Sequence, residues 1–222
     1  MGHGIVLDTA HGDIGAWRAD PQGAARGALV VIQEIFGVNA HMRSVVDRFA
    51  AAGYVALAPA FFDPIEAGVE LDYGQEGFAK GRELVNALGL DRAVDIVAAA
   101  AQSLKREGRP VSAVGYCWGG TVAYLANTRL GLPAVSYYGA RTAALLDETL
   151  RAPMMFHFGE KDGAIPAEDI AKHREKQPDA AVYVYAGAGH AFNRDVDTHA
   201  YHAESAALAQ ERTLAFFAEH LS

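Results

Sequence analysis

Short apolar runs alternate along this chain with stretches of helical periodicity, and that alternation restricts the fold more than any other feature. Residues 27–33 (GALVVIQ) form a continuous apolar run, the pattern of a strand buried on both faces. Residues 41–52 follow with helical spacing until Gly53 ends the segment. The pattern recurs, with a strand over 54–58, a helix over 91–107 that carries Val94, Val97, Ala98 and Ala101 on one face, and a strand over 111–114. Further on, 121–127 and 167–176 read as helices and 134–138, 154–158 and 182–185 as strands, with a long C-terminal helix starting near Asp197. Such alternation predicts a parallel sheet with helices on its faces. Two short runs, 4–7 and 13–17, flank His11-Gly12 and predict an entry hairpin, whereas 61–77 carries no readable period.

With 222 residues, 51% of them hydrophobic and 21% charged, the chain can bury one sizeable core. No repeat or low-complexity linker interrupts it, so residues 1–222 are expected to form one domain. A net charge of −8 offers no cationic footprint for phosphate, which excludes nucleic acid as the expected partner. No run of eighteen apolar residues occurs, and the start Met-Gly-His-Gly lacks the basic and apolar regions of a signal peptide. The expectation is a cytoplasmic protein without a membrane partner, monomeric by default with an oligomer left open.

Cys117 is the only cysteine, so it cannot form an internal disulfide. An isolated intracellular cysteine is more often a small buried hydrophobe than a reagent. Its surroundings argue otherwise: Gly115-Tyr-Cys117-Trp-Gly119-Gly120 lies between an expected strand and an expected helix. A nucleophile on such a sharp turn needs glycine two residues before and after, because side chains there would collide with backbone. A helix N-terminus also favours the thiolate and can bind an oxyanion.

A sulfur nucleophile needs a proton acceptor and the acceptor needs an orienting acid. Asp162, in Gly159-Glu-Lys-Asp162, and His190, in Gly189-His-Ala-Phe192, each follow an expected strand, in the chain order nucleophile, acid, histidine. Taken singly, Asp162 reads as a turn residue and His190 as one of nine histidines. Their order and strand-end placement make the case. His199 and His202 lie three apart without a third ligand at a supporting spacing and are read as surface or core-edge residues, so no metal is expected.

Three segments, Gln33-Glu34-Ile-Phe-Gly-Val-Asn39, Gly115-Tyr-Cys-Trp-Gly-Gly120 and Gly189-His-Ala-Phe192, together resemble the dienelactone hydrolase family of the α/β-hydrolase fold, over nearly the whole chain. The resemblance implies an α/β architecture with an eight-stranded, mostly parallel sheet, its second strand antiparallel, flanked by helices and without a cap domain. It implies a carboxylic ester hydrolase of aromatic catabolism, acting without a cofactor on a small enol-lactone that carries a carboxylate. It gives Glu34 the role of taking the cysteine proton when substrate binds, and a strand-end carboxylate of that kind is expected to be partly desolvated. It maps the oxyanion hole onto the backbone N–H groups of Trp118 and Ile35, and a carboxylate-binding arginine onto Arg194. Tyr137 or Tyr138 is expected to line the pocket. A second arginine of the family has no clean match in Gly77-Phe-Ala-Lys80-Gly-Arg82. Two other readings stay open: a family member acting on a different ester, thioester or lactone, and a non-catalytic protein whose thiol senses oxidants.

Overall fold

The computed structural model describes residues 1–221, in which eight strands form one sheet in the order β1-β2-β4-β3-β5-β6-β7-β8. By its internal contacts the chain divides into two compact units, Met1–Ser112 with Leu221, and Ala113–His220.

In the first unit, β1 (His3–Thr9) and β2 (Gly12–Ala19) make the expected hairpin, and β2 runs antiparallel to β4 (Val55–Pro59). β4 pairs in parallel with β3 (Ala28–Ile32), and every residue of β3 and β4 is buried, which is why their sequences show no alternation. α1 (Ala40–Ala51) begins at Asn39, whose side chain accepts a hydrogen bond from the Met42 N–H at 3.2 Å. α3 (Leu90–Arg106) lays Val94, Val97, Ala101 and Leu104 inward, and Arg18 on β2 pairs with Glu107 at its end.

Between β4 and α3 stands a helix that the apolar period did not reveal, α2 (Gln75–Leu88). Glycine hides it: Gly74 and Gly89 bracket it, and Gly77 and Gly81 lie within it, where glycine lowers helix propensity. Both interior glycines are needed for close approach, since a Cβ on Gly77 would strike the Asp72 carbonyl and one on Gly81 the Ile35 carbonyl.

In the second unit, β5 (Val111–Tyr116, which starts in the first unit), β6 (Ala134–Tyr137), β7 (Met154–Gly159) and β8 (Ala181–Tyr185) pair in parallel in that order. α4 (Trp118–Leu130) is longer than the expected 121–127 and begins directly after Cys117, while α5 (Ala167–Lys176) has the expected limits. The C-terminal helix α6 (Ala203–His220) starts six residues later than its apolar pattern suggested. Asp197 stops the chain there: its carboxylate accepts the N–H groups of His199 and Ala200, its carbonyl accepts that of Tyr201, and the His202 N–H turns to the Phe192 carbonyl. His199 and His202 therefore lie on a loop and not on a helix face. Among the described residues there is no separate cap domain, and no helix is long and apolar enough to cross a membrane.

Candidate active site

Every residue of β5 is buried, and the chain leaves it through a turn that only small neighbours permit. Cys117 has φ 55° and ψ −119°, outside the regions ordinarily open to a residue with a Cβ, at a cost of order 1–3 kcal/mol that the surrounding structure must offset. A Cβ on Gly115 would collide with the Gly119 carbonyl, and one on Gly120 would lie 2.7 Å from the Tyr137 carbonyl. Hydrogen bonds from the Cys117 N–H to the Tyr137 carbonyl at 3.0 Å and from the Gly120 N–H to the Cys117 carbonyl at 2.9 Å hold the turn. Trp118, 4% exposed, is the first residue of α4, so its peptide N–H belongs to the helix end whose donors lack intrahelical acceptors.

The loops after β7 and β8 bring the other two expected residues to the sulfur. His190 Nε2 lies 3.2 Å from Cys117 Sγ, and His190 Nδ1 lies 2.7 Å from Asp162 Oδ2. The other Asp162 oxygen accepts the Ala164 N–H at 2.8 Å, and the carboxylate is fully buried while the imidazole is 29% exposed. The two loops are stitched together: the Lys161 N–H donates to the Ala188 carbonyl, the Glu160 N–H to the Tyr185 carbonyl, and the Gly187 N–H to the Glu160 carboxylate. Gly159 permits this, because a Cβ there would lie 2.6 Å from the carbonyl oxygens of both Ala188 and Gly189.

Burial alone would lower the pKa of His190, but its hydrogen bonds to Asp162 and to the Cys117 sulfur, with their charges, outweigh it and push the value up to about 10. The imidazole is held toward its protonated form and faces the sulfur at 3.2 Å, close enough to exchange a proton with it.

The remaining expected residues are placed as follows. The Tyr138 ring sits 5.1 Å from the His190 ring, whereas Tyr137 is wholly buried with its hydroxyl 2.6 Å from Thr213 Oγ1. Of the two tyrosines, Tyr138, with φ 42°, is the one brought against the imidazole, and neighbouring strand-end positions look alike in sequence. Arg194 is 7% exposed, and its Nη1 lies 3.2 Å from Asp197 Oδ2. Glu34 and Ile35 belong to the first unit, where they are 1% and 6% exposed. Gln33 braces this segment, its amide donating to the Glu34 carbonyl at 3.2 Å and its Oε1 accepting the Phe61 N–H at 3.3 Å.

Sequence reasoning missed the Ala164 N–H that anchors Asp162; a small residue two positions after a turn aspartate was its only signal. A cavity of about 350 Å³ opens beside His190, lined also by Asp197, His199, Tyr201 and His202. Another, of about 660 Å³, lies by Met154, Tyr183, Arg212 and Phe216 and includes no residue of the Cys117, His190 and Asp162 group. Among the described residues no three His, Cys, Asp or Glu side chains are grouped as a metal site.

Comparison with known proteins places the chain in a family. The dienelactone hydrolase family profile matches residues 14–221. A carboxymethylenebutenolidase of Pseudomonas putida is 33% identical over 226 residues, covering 97% of this chain and 95% of that protein. A protein of Azospirillum brasilense, provisionally named a carboxymethylenebutenolidase, is 36% identical over 220 residues, 95% of each chain. A crystal structure from Klebsiella pneumoniae, provisionally described as a dienelactone hydrolase, superposes with a TM-score of 0.86 at 27% identity, covering 99% of this chain and 98% of that one. The strand-to-helix turn at Cys117, the sheet around it and these likenesses agree: the chain belongs to the dienelactone hydrolase family and is a hydrolase of ester or lactone bonds with an α/β-hydrolase fold.

Proposed function

We propose that this hydrolase uses Cys117 to open a small enol-lactone bearing a carboxylate, through a thioester acyl-enzyme, within a chain that works as one domain of 222 residues. One observation carries the reading: the continuous contact from Cys117 Sγ through His190 to the buried Asp162, at 3.2 and 2.7 Å.

In the first step the sulfur adds to the lactone carbonyl, and the oxyanion is met by the N–H groups of Trp118 and Ile35. The ring C–O bond then breaks, and the leaving enolate oxygen takes its proton from the His190 imidazolium. In the second step a water gives a proton to the now neutral His190 and its oxygen to the thioester carbonyl; the C–S bond breaks and the thiolate returns beside the imidazolium. Asp162 fixes the imidazole tautomer throughout. Glu34, nearly fully buried, is the carboxylate assigned to receive the thiol proton as substrate arrives and to return it to the thiolate when product leaves, and Arg194 is assigned to the substrate carboxylate.

A second reading, hydrolysis of a different ester, thioester or lactone, is favoured by Arg194 already holding Asp197, which leaves its guanidinium partly committed. The test is incubation with a slow aryl ester followed by intact-protein mass spectrometry, alongside turnover of a carboxylated enol-lactone. The expected result is an acyl adduct on Cys117, absent in Cys117→Ala, together with lactone opening. Ester turnover without lactone opening selects the second reading. A thiol that reacts with peroxide yet acylates with neither substrate overturns both and leaves an oxidant sensor.

A further inference from the structure

Beneath the triad, the second unit contains polar side chains that this chemistry leaves unused. His157 on β7 is wholly buried, with Nδ1 2.8 Å from the Tyr185 hydroxyl and Nε2 3.0 Å from Thr213 Oγ1. Thr213 Oγ1 in turn lies 2.6 Å from the Tyr137 hydroxyl. Polar groups placed this deep destabilise the fold unless they satisfy one another, so the chain of contacts from Tyr185 to Tyr137 is a unit.

One end lies under a cation. Arg212 stands over the Tyr183 and Tyr185 rings at 4.1 and 5.4 Å. Burial first, and the Arg212 charge second, lower the His157 pKa to about 3, so the ring is neutral throughout the ordinary pH range.

The other end reaches two reacting groups. The Tyr137 carbonyl accepts the Cys117 N–H, and the Tyr138 N–H donates to the His157 carbonyl at 2.8 Å, which places the Tyr138 ring against His190. Cys117 and Tyr138 both have positive φ, 55° and 42°, and such conformations persist only where neighbours over-determine them.

We propose that Thr213 and His157 are positioning residues: their side-chain hydrogen bonds fix Tyr137 and Tyr138, and these hold the Cys117 backbone and the His190 ring in register. The effect on turnover rests on the hydrolase reading given above, whereas the placement of the sulfur does not depend on any substrate.

Thr213→Val keeps the side-chain shape and removes the central hydroxyl, and Thr213→Ser keeps the hydroxyl. The readouts are turnover of an aryl ester, the pH profile of Cys117 alkylation by iodoacetamide, and the melting temperature. Thr213→Val is expected to lower kcat by roughly tenfold with KM within about twofold, since small displacements of reacting groups have effects of this size. Its alkylation profile should shift along the pH axis, and Thr213→Ser should restore both. Ile170→Ala, at a buried position of α5, serves as a variant of lowered stability in which neither quantity moves. Wild-type kcat and alkylation profile in folded Thr213→Val overturn the proposal. Should that variant fail to fold, Tyr137→Phe, which removes one hydroxyl and keeps the carbonyl, decides by the same criteria. If the wild type turns over no ester, the hydrolase reading fails while the alkylation profiles still decide the positioning role.

Discussion

Two histidines of the second unit, one partly exposed and one wholly buried, have been driven in opposite directions. His190, at the rim of the sheet, is pushed up to about 10, while His157, in the layer below, is pushed down to about 3. Burial acts the same way on both, against the charged form; their partners differ. His190 bonds to a carboxylate and a sulfur, both able to carry negative charge, whereas His157 bonds to two hydroxyls and feels the positive Arg212. Depth alone does not make a histidine reactive. An imidazole beside a buried carboxylate becomes a charge store, and one between hydroxyls becomes a joint.

The contrast is broken most severely by Asp162→Asn, which gives His190 an uncharged partner of nearly the same shape. Its pKa should fall toward or below 6.5, read by NMR titration, and acylation should slow by roughly 10³ to 10⁴-fold, as for other triads that lose the acid. A variant whose imidazole still titrates near the wild-type value would show that the sulfur alone sustains the charge.

A smaller effect is expected from His157→Asn, measured as urea midpoints across pH. The folded pKa of His157 lies below the unfolded value of about 6.5, so the unfolded chain binds the extra proton first. Wild-type stability should therefore fall as pH drops from about 6.5 toward 3, by an amount of order a few kcal/mol, and the asparagine variant should lose that slope. His190 contributes with the opposite sign: its raised pKa stabilises the fold fully below about 6.5, and that contribution is lost as pH rises toward 10. Equal acid slopes in wild type and variant would place the acid sensitivity elsewhere.

The smallest change separates the two arginines that accompany these histidines. Arg194→Ala should raise KM about tenfold for carboxylated substrates and leave neutral esters within about twofold, because it removes one charge-assisted contact. Arg212→Ala should show no such selectivity, since its guanidinium lies on the Tyr183 and Tyr185 rings. Equal effects of Arg194→Ala on both substrate types would take that residue out of recognition.

Much of this was legible in the residues themselves. The strands were readable because burial on both faces leaves unbroken apolar runs, as in Ala28–Ile32, and the triad because glycine spacing and strand-end positions follow from steric rules. What escaped notice depends on contacts distant in sequence. Helix α2 was obscured by Gly77 and Gly81, whose use is to let backbone pass close to backbone. The start of α6 was placed too early because an apolar period does not show that Asp197 folds a turn back on itself. His157 looked like one more strand residue, since neither its neutral state nor its bond to Thr213, 56 residues away, leaves a local trace.

The missing Cβ of Gly159 has a consequence for how such a site can be rebuilt. Because the backbone after β7 lies directly against residues 188 and 189, the acid and the base are carried by one clasp. A bulkier residue at 159 would separate acid from base while leaving both side chains intact.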